Sequence, residues 1–245
     1  MKAENWQIIR FDEVESTNDE ALKYSQSTNE ANCVITAKRQ TKGRGRRGRS
    51  WVSLDGNLFF SILLKFEVRN LGALAVISSL SLLQCIKFLK PEADVLLKWP
   101  NDVLLNEAKV SGILAEKAAG DYMIVGIGVN IKQSPPDDNM LYPTISLKDA
   151  GIIVSADDFL SLYIKMFGDN IDLYYENGFA ILQRQWSDNA KGIGKEITIR
   201  QEGNVRKGIF KGIGAQADLL LENDGVISKI LVGDVFYEGW ENDGV

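Results

Sequence analysis

The chain of 245 residues contains no histidine. That single absence removes Ser-His-Asp triads, imidazole general bases and His-based zinc sites together. Any chemistry must run on Lys, Arg, Asp, Glu, hydroxyls and the backbone, an inventory better suited to stabilising charge than to shuttling protons. Cysteine is scarce as well. Cys33 and Cys85 each stand in an apolar stretch, the pattern of two buried thiols in a reduced, cytoplasmic protein rather than of a disulfide. Long hydrophobic runs are lacking: the longest, 71–83, is interrupted by serine and glycine, is too short and polar for a membrane span, and reads as a buried helix. The N-terminus shows no apolar core or cleavage site of a signal peptide. Positive charge is in the minority, with a formal net charge of -5, which makes a broad basic face for nucleic acid unexpected.

What is present is an ordinary globular composition, 45% hydrophobic and 25% charged, with enough chain for one large domain or two unequal ones. Strands are expected at 6–11, 32–38 and 57–65, two short ones around a turn within 94–105, and a hairpin over 109–117 and 122–131 turning at Ala119-Gly120-Asp121. A helix is expected from about 14 to 25, with Thr17 and Glu20 at capping-box spacing and Leu22 on its apolar face. Further helices are expected over 71–90, 155–178 and 179–187, the one over 155–178 starting at Ser155 and stopping at Gly178. Pro135, Pro136 and Pro143 make 133–144 a loop. From 188 onward the pattern changes to short strands and glycines, so the division expected is 1–187 and 188–245, the second part a small all-β barrel. KGIG occurs at 191–194 and 211–214; neither copy opens a helix, which favours strand-edge bulges over a phosphate loop.

Against the acidic background stands KGRGRRGR at 42–49, five cations and three glycines. It could be a solvated loop, an RG-rich nucleic-acid arm, or a hinged cover whose glycines free backbone amides and whose arginines fork onto phosphate or carboxylate. Its place between two apolar strands, followed at once by Trp51, favours the cover. LLKWPNDVLL at 96–105 bundles polar residues between apolar trios, with Pro100 holding Trp99 extended. Gly112 follows Lys109, and GIGVN at 126–130 puts Gly126 and Gly128 on one face of a buried strand, where a helix or a flat ligand should approach closely.

In order, STN (16–18), QTKGRGRRGRxW (40–51), KWPND (98–102), KxxGIL (109–114) and GxGxN (126–130) resemble the motifs of the biotin–protein ligases, and the likeness covers nearly the whole chain. The resemblance implies an α+β fold: a mixed β-sheet flanked by helices, related to class II aminoacyl-tRNA synthetase cores, with a C-terminal SH3-like barrel. It implies ATP-dependent formation of biotinyl-5′-AMP and transfer of biotin to a lysine of a biotin carboxyl carrier domain. It implies a form without an N-terminal DNA-binding domain, so no operator binding, and a possible homodimer. By family match, Arg44, Arg46 and Lys109 would hold carboxylate and phosphates, with Lys98 the catalytic cation. Ser16, Thr17, Asn18, Gln40 and the backbone of Gly43 and Gly112 would meet the ureido ring, with Gly45 and Gly128 also in the site. Asn101 and Asn130 would lie at the nucleotide, Trp51 would stack on adenine or pack in the core, and Asp102 would orient or deprotonate the acceptor lysine. Arg47 and Arg49 are site candidates or solvated loop charge; Ser16 or Thr17 could merely cap the helix. Mg2+ is expected with ATP, without a protein ligand cage. The alternatives are a lipoate–protein ligase, whose glycine-rich segment usually contains histidine, and a nucleic-acid module using 42–49.

Overall fold

The computed structural model describes residues 6–27, 32–66, 71–118, 120–136, 142–201 and 203–237. Seven strands, β1 (Gln7–Val14), β2 (Cys33–Gln40), β3 (Leu58–Lys65), β4 (Val95–Lys98), β5 (Asp102–Leu105), β6 (Ala108–Lys117) and β7 (Tyr122–Val129), form one sheet in the order β1-β2-β3-β7-β6-β5-β4. The β1/β2 pair is parallel, which requires a crossover, and α1 (Thr17–Ser27) supplies it. The other pairs are antiparallel.

Side chains alternate between the two faces of each strand, and the faces are used differently. Phe60, Ile62 and Leu64 of β3 enter the main core with α2 (Leu71–Leu89), α3 (Ala156–Asn177) and α4 (Phe179–Asp188). Phe60 meets Tyr163 edge to face at 5.0 Å between ring centroids. The opposite face carries a small cluster of Ala21, Cys33, Ile35, Leu63, Tyr122 and Ile124 under α1; beyond it this face is given over to the site. Both cysteines are free and buried. Ser155 caps α3 by accepting from the Asp158 N–H, and Gly178 at φ 77° ends it.

Three expectations need correction. The 71–89 helix is long and apolar enough to cross a membrane by length and composition; two-thirds of it is buried in the fold, so burial rather than shortness makes it a core helix. Leu22 of α1 is 38% exposed, and the face turned inward is Thr17, Asn18, Ala21 and Ser25. A small, polar buried face is the mark of a helix that borders a pocket instead of a core. The capping-box pairing is also displaced: Thr17 is already helical, the Ser16 carbonyl accepts from Asp19 and Glu20, and Glu20 binds Lys23.

The remaining strands, β8 (Glu196–Gln201), β9 (Asn204–Ile213), β10 (Leu219–Asn223), β11 (Val226–Ile230) and β12 (Asp234–Phe236), form a second sheet ordered β11-β10-β9-β8-β12. The expected single strand over 226–236 is two, because the chain bends at 231–233 and crosses to pair with β8. β11 and β12 end at opposite edges, so barrel closure is not seen among the described residues. The second KGIG lies opposite a register shift at Leu220/Leu221, in keeping with a bulge; the first is a turn.

Phe60→Ala should cost about 3–5 kcal/mol, the usual loss for an emptied aromatic site. Urea denaturation checks this, and a loss below about 1 kcal/mol would mean the α3 side collapses freely around the gap.

Candidate active site

Cross-strand register sets the floor of the site. Lys98 faces Asp102, Asp102 faces Gly112, and Gly112 faces Gly128, so one row runs from charged edge to bare backbone. In the next row Leu114 faces Gly126 and Gly126 faces Ser61. Above lies a cavity of about 340 Å³. A Cβ on Gly128 would stand 2.3 Å from Trp51 Cε2, one on Gly112 2.8 Å from Trp51 Cζ3, and one on Gly126 2.1 Å from Asn18 Oδ1. The close approach these glycines permit is therefore made from within the protein: the Trp51 indole on Gly112 and Gly128, the Asn18 amide of α1 on Gly126. Trp51 packs on the sheet and lines the cavity at once, and its Nε1 is buried without a partner.

The basic segment is a tight structure rather than an open loop. Arg44 bridges Ser50, the Gly45 N–H donates to the Arg49 carbonyl at 2.6 Å, and the Trp51 N–H donates to the Gly43 carbonyl. Between them Arg46–Gly48 makes one 3-10 turn with Arg47 and Gly48 at positive φ. Arg44 forks onto Glu116 and reaches Asp19 at 2.8 Å. Arg47 and Arg49 take one oxygen each of Asp234, at 3.1 and 2.6 Å. Arg46 lies 3.5 Å from Asn101 Oδ1. Asn101 in turn donates to the Ile113 carbonyl.

At the charged edge Asp102 is buried beside Lys109 Nζ at 2.6 Å and Lys98 Nζ at 3.7 Å, and it accepts a hydrogen bond from the Tyr142 hydroxyl. Burial opposes ionisation of Asp102, but Lys109 and Lys98 outweigh it and hold the carboxyl below its ordinary range. Burial pushes Lys98 down to about 8, with Asp102 resisting and Lys109 adding to the fall. The ring of Tyr142 lies 4.4 Å from Lys98 Nζ and 5.6 Å from Lys109 Nζ, cation–π distances. At the other end a neutral wall forms: the Thr17 N–H and hydroxyl both donate to Gln40 Oε1, Ser61 lies within hydrogen-bond distance of Thr17 and Asn18, and Asn18 donates to Glu116.

Of the residues singled out in the sequence, Ser16, Thr17, Asn18, Gln40, Arg44, Gly45, Arg46, Trp51, Lys98, Asn101, Asp102, Lys109, Gly112, Gly128 and Asn130 line this cavity together. Gly43 and Arg47 do not: a Cβ on Gly43 would run into the Trp51 carbonyl, and Arg47 turns to Asp234. Arg49 is a wall residue, not a solvated charge. Tyr142 and Asp234 were not foreseen. Tyr142 lies within the Pro-rich loop 133–144 and Asp234 in a strand of another sheet, and neither has a local signature. Among the described residues no group of three or more His, Cys, Asp or Glu could hold a metal.

A cavity on a mixed sheet, lined by five cations and a neutral polar recess, defines an enzyme site for a small molecule that is anionic at one end. The chain matches the model of the biotin/lipoate A/B protein ligase family over residues 10–130. It is 34% identical to a biotin–[acetyl-CoA-carboxylase] ligase of Paracoccus denitrificans over 92% of this chain and 98% of that one. It is 29% identical to the bifunctional ligase/repressor BirA of Escherichia coli over 91% of this chain and 71% of that protein. Among solved structures, the biotin protein ligase of Aquifex aeolicus in complex with biotin and ATP superposes with a TM-score of 0.83 at 30% identity, covering 94% and 97% of the two chains. The chain belongs to the biotin/lipoate A/B protein ligase family.

Asp102→Asn should destabilise the protein by about 3–5 kcal/mol near pH 7, because it leaves buried ammonium groups without their anion. The loss should be smaller at pH 9, where Lys98 is already mostly neutral in the native protein. Urea titrations at the two pH values test this; a pH-independent loss under about 1 kcal/mol would contradict the assigned charge balance.

Proposed function

We propose that the protein is a biotin–protein ligase: it activates biotin with ATP and transfers the biotinyl group to a lysine of a biotin carboxyl carrier domain. The observation that carries this is the composition of one cavity in an acidic chain. Arg44, Arg46, Arg49, Lys98 and Lys109 line it against two carboxylates, Asp102 and Asp234, and a neutral wall of Ser16, Thr17, Asn18 and Gln40 closes the other end.

In the first step an oxygen of the biotin carboxylate bonds to the α-phosphorus of ATP, and the bond to pyrophosphate breaks. Two anions must meet. At 4 Å and an effective dielectric of about 20 a unit charge pair is worth roughly 4 kcal/mol, so fixed cations supply the main catalytic effect and no histidine is required. Lys98 and Lys109 act at the carboxylate end and Arg44, Arg46 and Arg49 toward the phosphates, with Asn101 and Asn130 beside the nucleotide and Trp51 against it. In the second step a neutral lysine amine attacks the acyl carbonyl, AMP leaves with the electron pair, and the amine gives up a proton, for which the acceptor assigned is Asp102, a carboxylate of the same cavity. Magnesium enters with the ATP phosphates as part of the substrate. Asp102 and Asp234 are both held by cations of the protein, so neither is a free ligand for it. The same reading takes 1–187 as the catalytic unit and 188–245 as a C-terminal module whose Asp234 reaches the basic turn.

Incubation of the protein with a biotin carboxyl carrier domain, biotin and Mg-ATP should add one biotinyl group to the carrier, measured by mass spectrometry. Lipoylation with lipoate and none with biotin would transfer the assignment to the sister activity. The cationic form of Lys98 is required for activation, and it is lost as pH rises through about 8. Hence kcat/KM for biotin-dependent pyrophosphate exchange should fall towards tenfold per pH unit above that value. A flat profile to pH 10 would remove Lys98 from this role.

A further inference from the structure

Glu116 lies outside the cavity, yet its carboxylate holds two residues that line it. Oε2 accepts from Asn18 Nδ2 at 2.6 Å and from Arg44 at 2.9 Å, and Oε1 accepts from the second Arg44 nitrogen at 2.9 Å. It reaches them because Glu116, Leu114 and Gly112 share the site face of β6. The consequence for Asn18 is directional. An amide has a donor end and an acceptor end. Glu116 and the Leu114 carbonyl, at 3.5 Å from Nδ2, can only accept, so the NH₂ end must face them. That turns Oδ1 toward the Ser61 hydroxyl at 2.6 Å and lays it on Gly126, where a Cβ would leave no room. Ser61 also contacts the Thr17 hydroxyl at 2.8 Å, and Thr17 binds Gln40 Oε1. With Oε1 so engaged, Gln40 has Nε2 left as its donor. The ordering that begins at Glu116, a group with no proton to give, therefore runs through Asn18 to Ser61, while Gln40 is oriented separately by the Thr17 N–H.

We propose that Glu116 is a positioning residue that sets the donor and acceptor directions of Asn18 in the neutral wall. The inference rests on the biotin reading above. A cyclic urea presents N–H donors on two sides and an oxygen acceptor on the third, so a wall that recognises it must not exchange its donors and acceptors. A freely flipping Asn18 would offer the wrong end part of the time.

The test is biotin-dependent pyrophosphate exchange with the full chain as wild type, Glu116→Ala, Glu116→Gln, Asn18→Ala and the Asn18→Ala/Glu116→Ala double variant. Glu116→Ala should raise KM for biotin about tenfold, the size of one hydrogen bond to a charged partner. KM for ATP and kcat should stay within about twofold, because Arg44 keeps Asp19. Glu116→Gln still offers an acceptor and should recover most of the loss. In the Asn18→Ala background, removing Glu116 should add less than about twofold. Equal changes in both KM values, no rescue by glutamine, or a full tenfold effect without Asn18 would each overturn the proposal while leaving the ligase reading intact. A wild-type protein that does not exchange pyrophosphate with biotin would overturn both.

Discussion

Asp102 holds the site together because it lets two ammonium groups occupy one buried edge of a sheet. Lys98 is only 3% exposed, and an ammonium so placed would shed its proton without a counter-charge. One carboxylate shared between Lys98 and Lys109 is too little to neutralise both. The surplus positive charge is the useful quantity: it is fixed by backbone register before any substrate arrives and costs no reorganisation when an anion enters. A second local acid would stabilise the apoprotein and cancel the field. Tyr142 adds to the same balance without charge, its hydroxyl on Asp102 and its ring against both lysines.

That edge opens onto a cavity because the strands beside it carry glycine at Gly112, Gly126 and Gly128. Glycine in a central strand is a weakness, here placed at three positions on one face of β6 and β7. The emptied surface is covered by Trp51 and Asn18, which lie on it as the floor of a pocket. Replacing Gly128 by any larger residue would displace the Trp51 indole, whose backbone N–H closes the basic turn on the Gly43 carbonyl. The opposite face of the same sheet shows the contrast: β3 there contributes Phe60, Ile62 and Leu64 to close-packed core. One sheet thus separates the two tasks, stability on one side and binding on the other.

Much of this was legible in the chain. The apolar run at 57–65, the serine cap at 155 and the glycine stop at 178 are local signals, and each element forms within a residue or two of expectation. All but two of the site candidates, Gly43 and Arg47, meet in one cavity because they came as ordered motifs, and motifs report contacts that residue spacing alone does not. What could not be read was long-range and electrostatic. Nothing around Glu116 distinguishes it from a surface acid until β6 is paired in register, and nothing around Arg49 says that its counter-charge is 185 residues away. Leu22 misled for a related reason: an apolar residue near helical spacing suggests a core face, but the inward face of α1 borders a polar pocket and is made of Thr, Asn, Ala and Ser.

The basic turn takes its shape from both ends of the molecule. Its first half is fixed by Arg44 on Glu116 and Asp19, groups of the large sheet and α1; its second half by Arg47 and Arg49 on Asp234, from the second sheet. These pairs are partly exposed, so each is worth little alone and is weakened by salt. Contacts of that strength suit a segment that must exchange its partners for phosphate and carboxylate oxygens. An arginine buried in a strong pair would stay there, and one with no partner would be ordered only at the expense of binding energy. The bend at 231–233 that splits the expected last strand is what carries Asp234 to the turn. The irregularity in the second sheet and the order of the loop in the first therefore have one cause, a single carboxylate placed where two arginines can share it.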